Sequence, residues 1–168
     1  MRKLFARERA AMRGVATVEF ALVLIPLLML AFGAVEYGRA MYQYDTLVKA
    51  ARDGVRLLSQ NNPSDDVYAD REDEARCLVV YGNTGCTGAA LVPGLSTGQV
   101  RICDRINFGN CPGATQADYL NVETGMGAIN LVEVRIVGYE FDFLGLPFVA
   151  DAASIVFDNI GAVMRQVI

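Results

Sequence analysis

The longest apolar run of the chain lies close to its first residue. Between residues 15 and 34 the only ionisable side chain is that of Glu19. Residues 15–37 number 23, close to the roughly 20 that a helix needs to cross the hydrocarbon core of a bilayer. Because backbone polar groups in lipid need internal partners, the run predicts a membrane-spanning helix. Pro26 lies inside the run and is expected to kink or loosen that helix, because it removes one hydrogen bond.

A second apolar pattern follows the span and has the spacing of a helix. Apolar positions recur every three or four residues, which places them on one helical face: Tyr44, Leu47, Val48, Ala51, Val55 and Leu58. Such a stripe is typical of a face that packs on a protein core. Since Asn61, Asn62 and Pro63 interrupt the pattern, one transmembrane and extended helix is expected over residues 15–60.

Residues 61–168 are expected to form one small extracytoplasmic domain. Ser64 can cap a second helix that runs to about Tyr81. Three segments have the pattern of strands: residues 99–103, 131–143 and 152–164. In the second of these, Val132 and Val134 alternate with more polar neighbours. The predicted fold class is therefore α+β, with a long N-terminal helix packed on a small antiparallel β-sheet of about three strands.

Charge divides the chain and orients it. Residues 1–14 hold five basic residues and one acid, whereas the rest of the chain holds ten basic and 18 acidic residues. A basic leader before a span places the N-terminus in the cytoplasm and the following domain outside. An acidic domain argues against nucleic acid as a partner. Cleavage as a secretory signal is an alternative, but the run is long and no good small-residue site follows it.

Four cysteines lie in the predicted outer domain, at Cys77, Cys86, Cys103 and Cys111. An even number beyond a membrane anchor indicates disulfides in an oxidising compartment. Four cysteines allow three pairings. The pairs Cys77–Cys86 and Cys103–Cys111 are favoured, because each closes a short loop that contains turn residues. Zinc bound by four thiolates is a rival, although no C-x-x-C spacing supports it.

The sequence has few of the residues and motifs that enzymes and metal sites use. Histidine is absent, and with it the commonest general base and metal ligand. A phosphate-binding loop is absent from the sequence, and a serine nucleophile would lack a histidine base, so we expect no enzymatic activity and no cofactor. An acidic cluster at residues 65–74 suggests calcium binding as a hypothesis. Its spacing does not fit an EF-hand, however, and a solvated helix face is the simpler interpretation.

Glu19 is the most informative residue of the span. A carboxylate in hydrocarbon costs roughly 2 to 3 kcal/mol on insertion scales, so it needs a partner, a proton or a position near the headgroups. Glu19 is the fifth residue after Gly14, which ends the basic leader. This arrangement resembles type IV pilins, in which a membrane peptidase cuts after the glycine. By that resemblance Gly14 and Val15 would flank the processing site, and the new Val15 ammonium could pair with Glu19 of a neighbouring subunit.

A closer resemblance covers residues 14–56, which are similar to the TadE-like family. The family's pattern appears here in four places: Glu19-Phe20-Ala21, Pro26, Glu36-Tyr37-Gly38-Arg39, and residues 50–56 (A-A-R-D-G-V-R). Residues 159–165 also resemble the family's usual ending. Phe20 stands where the short major pilin usually has tyrosine, which favours a minor subunit.

The resemblance implies a minor pilin or pseudopilin of the bacterial tight-adherence (Flp) pilus. It implies membrane lipid, a prepilin peptidase, other pilin or pseudopilin subunits and an inner-membrane assembly platform as partners. Glu19 and Phe20 would then serve assembly. The expected location is the bacterial inner membrane, crossed once, with the outer domain periplasmic or extracellular. The alternative is an uncleaved, membrane-anchored binding or adhesion module.

Overall fold

A computed structural model describes residues 2–144 and 154–166, with side chains described from Val15 onward. Its elements are two helices, six strands and three single-turn 3-10 helices: α1 (Arg2–Ser59), α2 (Tyr68–Tyr81), β1 (Val100–Cys103), β2 (Val122–Glu123), β3 (Ala128–Ile136), β4 (Glu140–Phe141), β5 (Ile155–Val156) and β6 (Ile160–Gln166). The chain forms two compact units. The first comprises Met1–Ala40 and Phe143–Ala152, and the second Met41–Asp142 and Ala153–Ile168.

Helix α1 is continuous from Arg2 to Ser59 and contains Pro26. Its helical conformation therefore begins within the basic leader, well before residue 15. The end of α1 falls at Ser59, where the apolar stripe predicted it. There the Asn61 side-chain amide donates to the Leu57 carbonyl over 2.7 Å, which satisfies one of the carbonyls that a helix end leaves without a partner.

Helix α2 begins later than the sequence predicts. Its N-cap is Val67, without a side-chain cap, so the prediction that Ser64 caps this helix is wrong. The residues before α2 form turns instead, since the Asp65 amide donates to the Asn62 carbonyl over 3.1 Å. The end at Tyr81 is confirmed: Gly82 has a φ of 72° and its amide donates to the Leu78 carbonyl.

The main sheet is antiparallel and is organised around β3. Strand β1 pairs with the C-terminal half of β3, β2 pairs with its start, and β6 pairs with it from Asn130 to Ile136. A separate two-stranded sheet consists of β4 and β5. The α+β class, with a long apolar helix and a small antiparallel sheet, is thus confirmed.

Strand boundaries differ from the sequence prediction in two places. The single strand predicted over residues 131–143 is interrupted at Gly138, whose φ of 64° separates β3 from β4. The strand predicted over residues 152–164 is divided into β5 and β6, while residues 152 and 153 lie outside the described part. Strand β2 was not predicted, because two residues are too few for an alternating pattern to appear.

The main core of the second unit lies between the helices and one face of the sheet. The predicted α1 stripe supplies Leu47, Ala51, Val55 and Leu58, all buried, while Tyr44 remains partly exposed. From β3, the alternating residues Val132, Val134 and Ile136 are also buried, as the pattern predicts. A smaller cluster comprises Cys103, Cys111 and Tyr119, against which Phe108, Ala114 and Leu131 pack.

Candidate membrane and assembly segment

The first unit contains a helical segment with an uncovered apolar surface. Within the described residues, one helix is long and apolar enough to cross a membrane, and its apolar window is not buried by the rest of the protein. Leu22, Leu30 and Val35 are each about two-thirds exposed or more. Large apolar side chains in this number are typical of a surface that faces lipid or other helices. The segment is thus compatible with a single-pass membrane anchor.

Gly14, Val15, Glu19 and Phe20 lie together on one stretch of α1. Residues four apart on a helix lie on one face about one turn from each other, so Val15 and Glu19 are neighbours. The side chains of Val15, Glu19 and Phe20 are all exposed in this single chain. The arrangement places the acid at the surface of the apolar helix, where another molecule can reach it.

The other end of the apolar segment carries an ion pair. The Arg39 guanidinium donates to the Glu36 carboxylate over 2.8 Å, and both side chains are largely shielded from solvent. Glu36 is the first acid after Glu19. The backbone amide of Leu144 lies 3.4 Å from the same Glu36 oxygen. Glu36 and Arg39 therefore mark the point at which the apolar surface gives way to a polar one.

The second part of the 14–56 pattern has a structural role in the second unit. In the A-A-R-D-G-V-R stretch the small and apolar residues are buried, whereas Arg52, Asp53 and Arg56 are exposed. Gly54 is buried where α1 meets α2 and β3: a Cβ at this position would lie 2.6 Å from Val79 Cγ2 and 3.6 Å from Val134 Cγ1. The glycine lets the helix approach its neighbours closely.

Both disulfides of the favoured pairing are present. Cys77–Cys86 ties α2 to the loop that follows it, and Cys103–Cys111 closes the loop after β1. Their surroundings differ: Cys103 and Cys111 are buried in the smaller cluster, whereas Cys86 is exposed and has a φ of 52°.

Three acids of the acidic cluster, all within α2, form ion pairs with arginines of the same helix. Arg76 pairs with Glu72 over 3.0 Å and with Asp73 over 2.7 Å, and Arg71 pairs with Glu74 over 2.6 Å. Burial raises the pKa of Glu72, and the Arg76 charge partly opposes that rise. Among the described residues, no group of acidic, cysteine or histidine side chains is arranged to hold a metal ion.

Sequence reasoning missed a buried polar network around Asp104. This carboxylate accepts hydrogen bonds from the Tyr68 hydroxyl over 2.9 Å and from the amides of Ile106 and Asn107 over 2.8 Å each. The Gln166 side-chain amide donates to the Tyr68 oxygen over 3.1 Å. Burial, followed by the Asp104 charge, raises the pKa of Tyr68 far above its ordinary range. The partners are distant in sequence, so no local spacing could reveal them.

A second polar group lies on the opposite face of the sheet. Glu133 accepts from the Tyr119 hydroxyl over 2.6 Å and from the Arg135 guanidinium over 2.8 and 3.0 Å. Burial raises the pKa of Tyr119, and the hydrogen bond to Glu133 adds to the rise. The hydrogen bonds that Arg135 itself donates to Glu133 raise the pKa of Arg135. The Tyr119 hydroxyl and two guanidinium nitrogens of Arg135 all donate to Glu133, which is the geometry of a structural cluster.

One buried residue of α1 also escaped sequence reasoning. Gln43 is buried, and its side-chain oxygen lies 2.8 Å from the Tyr139 hydroxyl, which is also 2.9 Å from the Pro93 carbonyl. Through these two contacts Tyr139 joins α1 to the loop after α2. The sequence signal that could have revealed this contact was a polar glutamine between the apolar span and the buried stripe of α1.

These observations define a class of protein: one uncovered apolar helix continues into a small disulfide-linked α+β domain. Within that class, residues 14–56 match the family model described as TadE-like protein, which confirms the resemblance seen in the sequence. The match indicates an association with the tight-adherence pilus and with its membrane-associated components. No curated protein and no solved structure matches the chain significantly.

Proposed function

We propose that this chain is a minor pilin or pseudopilin of a bacterial tight-adherence pilus. In this proposal a prepilin peptidase cuts after Gly14, and the remaining helix packs among other subunits to start or support pilus assembly. The role is structural rather than catalytic. The observation that carries the proposal is the position of Gly14 and Glu19 at the head of an exposed apolar helix, within the segment that matches the TadE-like model.

Cleavage would change the electrostatics next to Glu19. In the continuous helix, the amides of residues 15–18 have acceptors four residues earlier, within the leader. Removal of the leader would leave the amides of residues 16–18 without helical partners and would convert the Val15 amide nitrogen into an ammonium. The new helix end would carry the positive pole of the helix dipole, about one turn from Glu19.

The exposure of Glu19 favours a partner in another subunit. In a bundle of such helices, the Val15 ammonium of one chain could lie against Glu19 of the next. A buried ion pair adds little stability on its own, but it penalises every register in which one charge is left unpaired. The pair would therefore select the axial position at which a subunit enters the assembly.

The first experiment tests processing. The N-terminal residue of the protein is determined by mass spectrometry after purification from cells that contain the pilus operon. We expect Val15 in the wild type and an uncut precursor in Gly14→Ala. Gly33→Ala is the matched control, since a Cβ at that helical glycine meets no atom within 4 Å. A wild-type protein that still begins at Met1 would contradict the proposal and favour an uncleaved binding module.

The second experiment tests assembly. Glu19→Gln keeps the shape of the side chain and removes its charge, so we expect normal cleavage with a strong loss of surface pili. Asp45→Asn is the control, because Asp45 is an exposed acid of the same helix whose ion pair with Lys49 is also exposed and contributes little. Equal pilus yields from Glu19→Gln and the wild type would refute the register role.

A further inference from the structure

The exposed apolar surface of the first unit is not limited to the helix. Leu144, which follows the second unit's strand β4 in the chain, is 76% exposed. It lies in an uninterrupted apolar stretch, F-L-G-L-P-F-V-A at residues 143–150, which is bounded by Asp142 and Asp151. A large apolar side chain this exposed is unfavourable in water and commonly marks a contact surface.

The position of Leu144 relative to the span is set by a direct contact. Its backbone amide lies 3.4 Å from the Glu36 carboxylate, and Glu36 is at the outer end of the apolar segment. Residues 143–152 and 1–40 belong to the same compact unit. Leu144 is therefore beside the helix at the depth where hydrocarbon gives way to headgroups.

The residues at that depth have the composition of a membrane interface. Tyr37 is 68% exposed, and exposed tyrosines at the end of a span are typical of the aromatic belt at headgroup level. Arg39 and Glu36 supply a paired charge at the same level. In the proposed membrane anchor, lipid covers the apolar surface of the helix. An apolar residue beside that surface would contact the same lipid.

We propose that Leu144 forms a second membrane contact, in which the chain touches the outer interface of the bilayer beside the helix. This inference depends on the membrane anchoring proposed above and is independent of pilus assembly. A single helix alone can tilt and rotate in the bilayer. A second contact at its outer end would restrict both motions.

The chain contains no tryptophan, so a single introduced tryptophan reports its own environment. Leu144→Trp is placed in the full chain and reconstituted into phosphatidylcholine–phosphatidylglycerol vesicles, with or without brominated acyl chains. We expect emission at shorter wavelength than in water, quenching by the brominated lipid, and protection from acrylamide. Bromine near the headgroup should quench more than bromine near the bilayer centre.

Two further variants make the result decisive. Met126→Trp replaces a fully exposed side chain in the turn between β2 and β3, and it should be quenched by acrylamide and not by brominated lipid. Phe32→Trp lies within the span and should be quenched by bromine near the bilayer centre. If Phe32→Trp is not quenched by lipid, the membrane span itself is wrong.

If Phe32→Trp behaves as expected while Leu144→Trp resembles Met126→Trp, the second contact is wrong and the span stands. A Leu144→Trp emission that is protected from both quenchers would show that protein, rather than lipid, covers this residue, and it would also overturn the proposal.

Discussion

Tyr68 and Asp104 show how a single buried hydrogen bond links stability to pH. Asp104 is fully buried, and the described structure gives it three donors, of which the Tyr68 hydroxyl is the only side chain. Since no cation is among those three donors, the hydroxyl and the two amides carry the stabilisation of the carboxylate. Ionisation of the tyrosine would place two negative charges in contact.

The hydrogen bond between Tyr68 and Asp104 should make the protein less stable at alkaline pH. The pKa of Tyr68 is raised in the folded state, so its contribution to stability is fully present below the unfolded value of about 10 and is lost as pH rises above it. We expect the free energy of unfolding, measured by urea titration of the full chain in detergent, to fall above pH ~10. Tyr68→Phe should reduce that pH dependence.

The same variant should also lower stability at neutral pH by about 1 to 3 kcal/mol, because Asp104 loses one donor while it stays buried. Tyr42→Phe is the control, since Tyr42 is largely exposed and its loss should leave both quantities unchanged. If Tyr68→Phe retained the wild-type pH dependence, another group would have to account for it.

At the scale of elements, the approach of α1 to α2 and β3 depends on Gly54. A glycine inside a helix ordinarily costs about 1 kcal/mol relative to alanine, so an exposed helical glycine would be improved by replacement. Here the nearest atom to an added methyl group is a β-branched Val79 side chain at 2.6 Å, which has little freedom to move away.

We therefore predict that Gly54→Ala destabilises the second unit, by roughly 1 to 2 kcal/mol once the gain in helix propensity is set against overpacking. Chemical denaturation followed by near-ultraviolet circular dichroism measures the effect. Asp53→Ala, at an exposed neighbouring position, should be neutral or slightly stabilising.

The double variant Gly54→Ala/Val79→Ala tests the mechanism. Because Val79→Ala makes room for the new methyl group, the two changes together should cost less than their sum. An additive result would mean that the contact with Val79 is not the cause.

At the scale of the whole molecule, the two disulfides differ in how readily solvent and reductants reach their sulfur atoms. Cys103 and Cys111 lie in the smaller cluster with Tyr119, whereas Cys86 lies in an exposed loop. A reductant must reach a sulfur atom to attack it. Access therefore differs even though both bonds close loops of similar length.

We predict that mild reduction of the folded protein opens Cys77–Cys86 before Cys103–Cys111. Brief treatment with dithiothreitol, alkylation and peptide mass mapping should label the first pair while the second stays intact. In denaturant, where burial is lost, both pairs should be labelled at similar rates. Simultaneous labelling of all four cysteines in the folded protein would contradict the prediction.

Local properties of the sequence determined the apolar span, the extension of α1 to Ser59, its buried stripe and the TadE-like pattern at Gly14 and Glu19. Each depends on run length, period or spacing among neighbouring residues, which folding does not change. The short loops between cysteines are local in the same sense.

Only the tertiary structure decided the strand boundaries, the start of α2, the contact of Gly54 with Val79 and the polar network of Asp104. Tyr68 and Asp104 are 36 residues apart, and Tyr68 and Gln166 are 98 apart. Such pairs are selected by packing and by the need to give each buried polar group a partner. These are properties of the assembled fold, and a pattern read along one segment does not contain them.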